Sequence, residues 1–304
     1  FEVLGRAWSP AAEAEWRQGI IDDYGDDAQE ELFCIPSQGS GVFLSRLLIE
    51  SCMDPAIPVL RWECPEGFAQ RPDAVRAAEA LAWCEDHLLP RLAAIAPGAN
   101  CYIGEDFGRS GDLTAILPLV ESAGLTYRAP FLVELRNVPF RQQEQILFYV
   151  CDRLPRFRGG ALDARGNGQY LAEVAMQRYG ESRIQQVMLS LEWYREHMPK
   201  YKALFEDRAI ALPQDADVLD DHRAIKVVKG VAKLPDSGPE QKGRDGKQRH
   251  GDTAIAGALA AFAIKSSTSG PVEYTSVARR AFSAAPPSQH PELFAPARFG
   301  RGAW

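Results

Sequence analysis

A mixed α/β sheet flanked by helices is the fold class that this 304-residue sequence predicts. Three observations predict it. Three apolar, strand-like runs follow one another between residues 100 and 135. From residue 139 onward, helical and strand-like patterns alternate, and no internal repeat interrupts the order. Hydrophobic residues make up 46% of the chain and charged ones 25%, which is ordinary globular composition and excludes a chain disordered throughout. No run approaches the roughly 18–20 consecutive apolar residues of a membrane span. The first residue is Phe1 and no basic region precedes an apolar run, so no secretion signal is expected. A piece of something longer is expected instead.

Residues 9–33 read as helical, with Ser9 as N-cap, Pro10 in the first turn and Trp16, Ile20, Ile21, Leu32 and Phe33 at apolar positions. Residues 35–70 read as irregular, punctuated by Pro36, Gly39, Gly41, Pro55, Pro58 and Pro65. A second helical pattern covers 72–95, interrupted by Pro90, and Pro97-Gly98 ends it. Strands are then predicted at 100–106, 112–120 and 128–135. Pro139 opens a helix with Ile146, Leu147, Val150 and Leu154 at helical spacing. A strand (158–163), a helix (168–179), a strand (183–188), a long helix (191–205) and a short strand (208–212) follow. Residues 222–234 read as a basic extended pair, and 252–265 as a helix rich in alanine and leucine. This gives a helical and irregular connector over 1–97, a sheet domain over 98–269 and an extended, poorly ordered tail over 270–304.

The formal net charge of −7 hides two opposite ends. Residues 1–40 hold nine acids against Arg6 and Arg17, which accounts for the whole excess. Residues 222–250 hold eight bases against three acids, a local charge of +5. Six cysteines occur without a CxxC pair, so reduced, partly buried thiols in an intracellular protein are expected. The five histidines supply no zinc cluster beside them.

Three acids stand where surface decoration explains them poorly. Asp106 closes the apolar strand in CYIGEDFGRSGDLTAI, Asp163 closes another in GGALDARGNGQ, and Asp252 opens the last helix in QRHGDTAIAGALAAF. Ligands gather at strand ends in α/β sheets, and carboxylates meeting there suit hard cations such as Mg²⁺. Two such ions about 3.5–4 Å apart serve phosphodiester cleavage. Each acid taken alone also suits a plainer role: Asp252 as an N-cap, Asp163 and Asp106 as turn residues.

The stretches GEDFGRSGDLTAILPLV, LDARGNGQYLAE and RHGDTAIAGALA resemble the three acidic motifs of the nuclease domain in the large terminase subunit of tailed bacteriophages, Mu-like branch. GDDAQEELFCIP resembles the segment joining that family's motor domain to its nuclease. The resemblance implies a ribonuclease H-like fold that cuts concatemeric double-stranded phage DNA with two Mg²⁺ or Mn²⁺ ions in the host bacterial cytoplasm. It implies Asp106, Asp163 and Asp252 as metal ligands, with Asp112 in the first hairpin as a second-tier holder or a simple turn residue. Glu105 is expected on the opposite strand face. His250 suits a phosphate or metal-water contact as well as a solvated loop. A GxxxxGK[ST] phosphate loop is missing from the sequence, so the family's ATPase motor is not expected here, and portal or other packaging proteins are the expected partners.

Independently of the family, Lys226, Lys229, Lys233, Lys242, Arg244, Lys247 and Arg249 lead straight into Asp252, and Arg109 and Arg165 each follow an acidic motif. Cations beside carboxylates hold a phosphate backbone with little base readout. A solvated charged loop is the plain alternative. Two other functions stay open at this level. DFGRSGD and DARGNG also resemble the phosphate loops of actin-like ATPases and sugar kinases, and a non-catalytic packaging module would use the acidic N-terminus and the tail for docking. A transposase or junction resolvase of the same fold is a nearer neighbour.

Overall fold

The strand-like runs assemble into one sheet in the computed structural model of the chain, which describes residues 1, 5–35, 40–108, 113–235 and 241–267. In chain order the helices are α1 (Pro10–Tyr24), α2 (Ala28–Glu31), α3 (Arg46–Glu50), α4 (Asp73–Trp83), α5 (Leu89–Ala93), α6 (Phe140–Arg153), α7 (Gly168–Tyr179), α8 (Leu191–Glu206), α9 (Ala216–Arg223) and α10 (Asp252–Ser266). The strands up to the central pair are β1 (Ser40–Val42), β2 (Met53–Asp54), β3 (Val59–Glu63), β4 (Asn100–Asp106) and β5 (Leu113–Ser122). After them come β6 (Thr126–Arg128), β7 (Leu132–Arg136), β8 (Arg156–Asp163), β9 (Ile184–Val187), β10 (Ile210–Pro213), β11 (Lys226–Val228), β12 (Val231–Lys233), β13 (Gln241–Lys242) and β14 (Gln248–Arg249).

Among the described residues nine of these strands form the main sheet. Its centre is β4, paired antiparallel with β5 on one side and parallel with β8 on the other, and β9 extends β8 in parallel. The far edge of β5 carries two strands, β7 near its start and β6 near its end, both antiparallel to it. The sheet therefore forks: β6 continues through β10 to β2, and β7 continues to β3. Third, second, first, fourth, fifth, with the second strand reversed, is the ribonuclease H-like order. The sequence reading of a mixed α/β sheet of this type is what the chain adopts.

Alternation along β4 divides the molecule into two apolar layers. Tyr102 faces the layer that holds α8 and α10, while Cys101 and Ile103 face the layer under α6 and α7. Between Tyr102 and Asp106, on the α10 face, lies Gly104. A Cβ there would sit 2.0 Å from the Ala256 carbonyl oxygen and 2.3 Å from the Ala260 nitrogen. Helix and strand touch backbone to backbone at this point, and only glycine permits it.

Several local expectations are corrected. Residues 35–70 are not irregular throughout: β2 and β3 join the main sheet, and β1 pairs with β11. Side-chain pattern hid them because their partners lie far along the chain. The run 128–135 is two strands, since the chain crosses from one branch of the fork to the other at Ala129-Pro130. Pro90 does not break the second helical stretch. A π-helical turn at Cys84–Leu88 widens the coil ahead of it, and Pro90, with no N–H to offer, falls in the first turn of α5. Helix α1 starts as expected, with Ser9 Oγ accepting the Ala12 N–H at 3.1 Å, yet it buries none of its residues. Helix α9 was not expected at all. By backbone contacts the described residues belong to one compact unit, and the expected tail over 270–304 lies outside them. No helix among the described residues is long and apolar enough to cross a membrane.

Candidate active site

Strand register builds the site before any side chain is considered. Asp106 opposes Ala115 of β5, Ala115 opposes Glu134 of β7, and Glu134 opposes Arg61 of β3. On the other side Glu105 pairs with Leu162, which brings Asp163 level with Asp106 one residue further on. Opposed residues share a face. Asp163, Asp106, Glu134 and Arg61 therefore form one row across the sheet, on the face covered by α10. Asp252 is the first residue of that helix.

The three expected acids feel one another. Burial first, then the like charges of Asp252 and Asp163, push the Asp106 carboxyl well above the ordinary range, with only partial relief from Arg165. No hydrogen bond reaches the Asp106 carboxylate among the described residues. Burial and the nearby Asp221 charge push Asp252 up to about 6, opposed by the His250 N–H that its Oδ2 accepts at 3.0 Å. Asp252 is thus not the N-cap of α10; Gly251 holds that position, with a positive φ of 73°. Asp163 is gripped by Arg165, whose Nε stands 3.1 Å from both carboxylate oxygens and whose Nη2 donates to Oδ2 at 2.9 Å.

Glu105 does face the other way, as strand alternation requires, and it is buried there at 1% exposure with both carboxylate oxygens unpartnered. Burial, then the Asp163 charge, push its carboxyl up to about 8. Between its ordinary 4.5 and about 8 the folded chain holds a proton that the unfolded chain has lost, so stability falls as pH rises through that window. Glu105→Gln is expected to flatten that slope. Urea midpoints from pH 4.5 to 8 in chelator check it, and an unchanged slope would assign the proton elsewhere.

The basic segment is less free than its sequence suggests. Arg249 is a correction: 4% exposed, it is no surface cation but the centre of a buried network. Its Nε and Nη2 reach Asp221 at 3.0 and 2.8 Å, and Nη2 also reaches Glu134 at 2.7 Å. Lys226 is paired with Asp27 and Lys247 with Glu63. Lys233 is half-buried on β12. Lys229, Lys242, Arg244, Arg165 and His250 are exposed. Arg109 and Asp112 lie outside the described residues.

Sequence reasoning missed Glu134 and Asp221. A glutamate inside the apolar run RAPFLVEL was the available signal for the first. Asp221 is fully buried on α9, which is anchored by its neighbour: the His222 Nδ1–H donates to the Val218 carbonyl at 2.7 Å, leaving Nε2 to accept the Tyr201 hydroxyl at 2.8 Å.

Among the described residues no group of three His, Cys, Asp or Glu side chains forms a ready-made metal cage. The donor chemistry nonetheless fits a divalent ion. Asp106, Asp163 and Asp252 offer carboxylate oxygens only, the class that hard cations prefer, and the elevated Asp106 carboxyl lacks a full counter-charge.

No protein-family model matches the sequence. Among curated proteins the chain is 45% identical over 258 residues to the probable terminase large subunit gp28 of Escherichia phage Mu, covering 84% of the chain and 47% of that protein. It is 38% identical over 261 residues to the Mu-like prophage FluMu protein gp28 of Haemophilus influenzae, covering 85% of the chain and 51% of that protein. The chain thus spans about half the length of the curated relatives it matches. Among solved structures it is similar to the large terminase nuclease of thermophilic phage G20c with bound magnesium, at a TM-score of 0.41 and 19% identity over 55% of the chain and 82% of that one. The HK97 bacteriophage large terminase gives a TM-score of 0.44 and 12% identity over 85% of the chain and 51% of that one.

Proposed function

This chain is a homologue, over about half their length, of the Mu-like large terminase subunit gp28 proteins, and from that premise we propose that it is the nuclease part of such a subunit, cutting concatemeric double-stranded phage DNA in the host cytoplasm. The observation that carries the reading is the meeting of Asp106, Asp163 and Asp252, from two strand ends and a helix start, with the Asp106 carboxyl driven upward by burial and by the other two. Asp106, Asp163 and Asp252 would hold two Mg²⁺ or Mn²⁺ ions, with Asp112 as an accessory holder. Bound there, the ions would supply Lewis acidity for phosphodiester hydrolysis.

The chain's own cations serve the other half of the task. Lys229, Lys242 and Arg244 are exposed and are suited to backbone phosphates rather than base edges. Arg109 and His250 flank two of the acids in sequence and fit the same role. The ATPase motor belongs to the half of the relatives that this chain does not span, and a portal or another packaging protein is the further partner.

Cleavage of supercoiled plasmid tests the reading. Nicked and linear products are expected with Mg²⁺ or Mn²⁺ and none with chelator. Inert protein that is instead stabilised by ATP would replace the nuclease with the actin-like phosphotransferase reading.

Arg165 yields a prediction of opposite sign for two ligands. Its guanidinium neutralises Asp163 where a cation would sit, and it is about half exposed, so the pair is worth only a modest part of the usual charge-assisted bond. Arg165→Ala is expected to tighten Mn²⁺ binding by about threefold while weakening DNA binding by a similar factor. Calorimetry with Mn²⁺ and a filter-binding titration check the two arms, and loosened Mn²⁺ binding would show that Arg165 helps to hold the ion.

A further inference from the structure

Small residues dominate α10, which is buried along nearly its whole length. Such a helix packs closely but has few side chains to fix its position along its own axis. Its first turn also leaves N–H groups with no partner inside the helix. Gly251, the N-cap, supplies no side chain, and the Asp252 carboxylate is turned back to the His250 N–H.

The missing cap comes from another element. Asp221 of α9, 32 residues earlier in the chain, accepts the Thr253 N–H at 3.1 Å and the Thr253 hydroxyl at 2.8 Å, both on Oδ2. Arg249 grips the same carboxylate and passes on to Glu134. Glu134 lies in the sheet row two strands from Asp106, and its second oxygen accepts Arg61 Nε at 2.7 Å. An unbroken chain of ionic hydrogen bonds thus runs from the sheet row to the residue beside Asp252. Arg61 also donates to Asp215 at 3.0 Å, so the network continues beyond Glu134 on the side away from α10.

We propose that Asp221 is a positioning residue. Through Thr253 on one side and the Arg249–Glu134 pair on the other, it sets where Asp252 stands relative to Asp106. The role in catalysis rests on the nuclease reading above; the mechanical role does not. Asp221→Ala is expected to raise hydrogen exchange of the Thr253–Ala256 amides at least about tenfold in chelator, above any change in β4 or β8. It is also expected to weaken Mn²⁺ binding and lower kcat by about tenfold or more, with KM for DNA changed less than about twofold. Thr253→Val keeps the amide contact and loses only the hydroxyl, so it is expected to move the same readouts in the same direction by about threefold.

Exchange that rises equally in β4, β8 and α10 would reduce Asp221 to a general stabiliser and overturn the proposal. So would wild-type exchange and Mn²⁺ affinity in both variants. If the wild type neither binds Mn²⁺ nor cuts, the nuclease reading falls, and exchange at the start of α10 alone then decides whether Asp221 positions that helix.

Discussion

Asp106→Asn is expected to cut plasmid about 10³-fold more slowly than the wild type while melting no lower in chelator. The first half follows from removing a central carboxylate donor, since the charge stabilisation that a bound ion supplies is several kcal/mol and each 1.36 kcal/mol is tenfold in rate. The second half follows from the site itself. The Asp106 carboxyl is half-buried beside two other acids and pushed well above its ordinary range, so a neutral side chain of the same shape relieves repulsion. Ordinary damage to the fold moves rate and melting together; here they part. Initial rates on supercoiled DNA with Mn²⁺, set beside thermal melting in chelator, measure both halves. A variant retaining a tenth of the wild-type rate would remove Asp106 from the centre of the chemistry.

Gly104→Ala carries the largest expected loss of stability. The added methyl would lie 2.0 Å from the Ala256 carbonyl oxygen and 2.3 Å from the Ala260 nitrogen. These are backbone atoms, which cannot swing aside as a side-chain tip does. Overpacking costs about 1–3 kcal/mol and occasionally more, and contact with helix backbone puts this case at the top of that range. At about 2–4 °C per kcal/mol for a unit of this size, the melting temperature is expected to fall by roughly 6–12 °C. Because α10 carries Asp252, lifting the helix also separates Asp252 from Asp106, and cleavage is expected to fall more steeply than stability. A melting curve within about 2 °C of the wild type would mean that strand and helix do not meet as closely as described.

What the sequence disclosed and what it hid follow one physical line. Strands β4, β5 and β8 and helices α6, α7, α8 and α10 were legible because each is an apolar run or a helical-period pattern with a clear terminator. The acids closing β4 and β8 stood out against that background, and so did Asp252. Helix α9 did not. Its sequence, ADVLDDHR, is mostly polar, and it is held by the Asp215 cap and by the burial of Asp221 and His222. Hydrophobic periodicity is weak in a helix that buries Asp217, Asp221 and His222 beside only two aliphatic residues, Val218 and Leu219. Glu134 was correctly placed on a strand, yet nothing local announced that it would meet Arg249, 115 residues away. The basic segment misled for the same reason. Counting charges cannot reveal that Asp27, Glu63 and Asp221 are waiting for three of them.

Strand β3 bears on where this protein can be shortened. It pairs with β7 over five residues, Val59–Leu132 through Glu63–Arg136, and brings Arg61 to Glu134. A fragment beginning at residue 98 would leave β7, buried at every position, as a bare apolar edge with unpaired amides and carbonyls. Such an edge is a template for intermolecular strand addition. Glu134 would at the same time lose one of its two arginines. The first hundred residues thus act as a selvedge to the sheet, and a chain trimmed there would be expected to come apart at that border by aggregating.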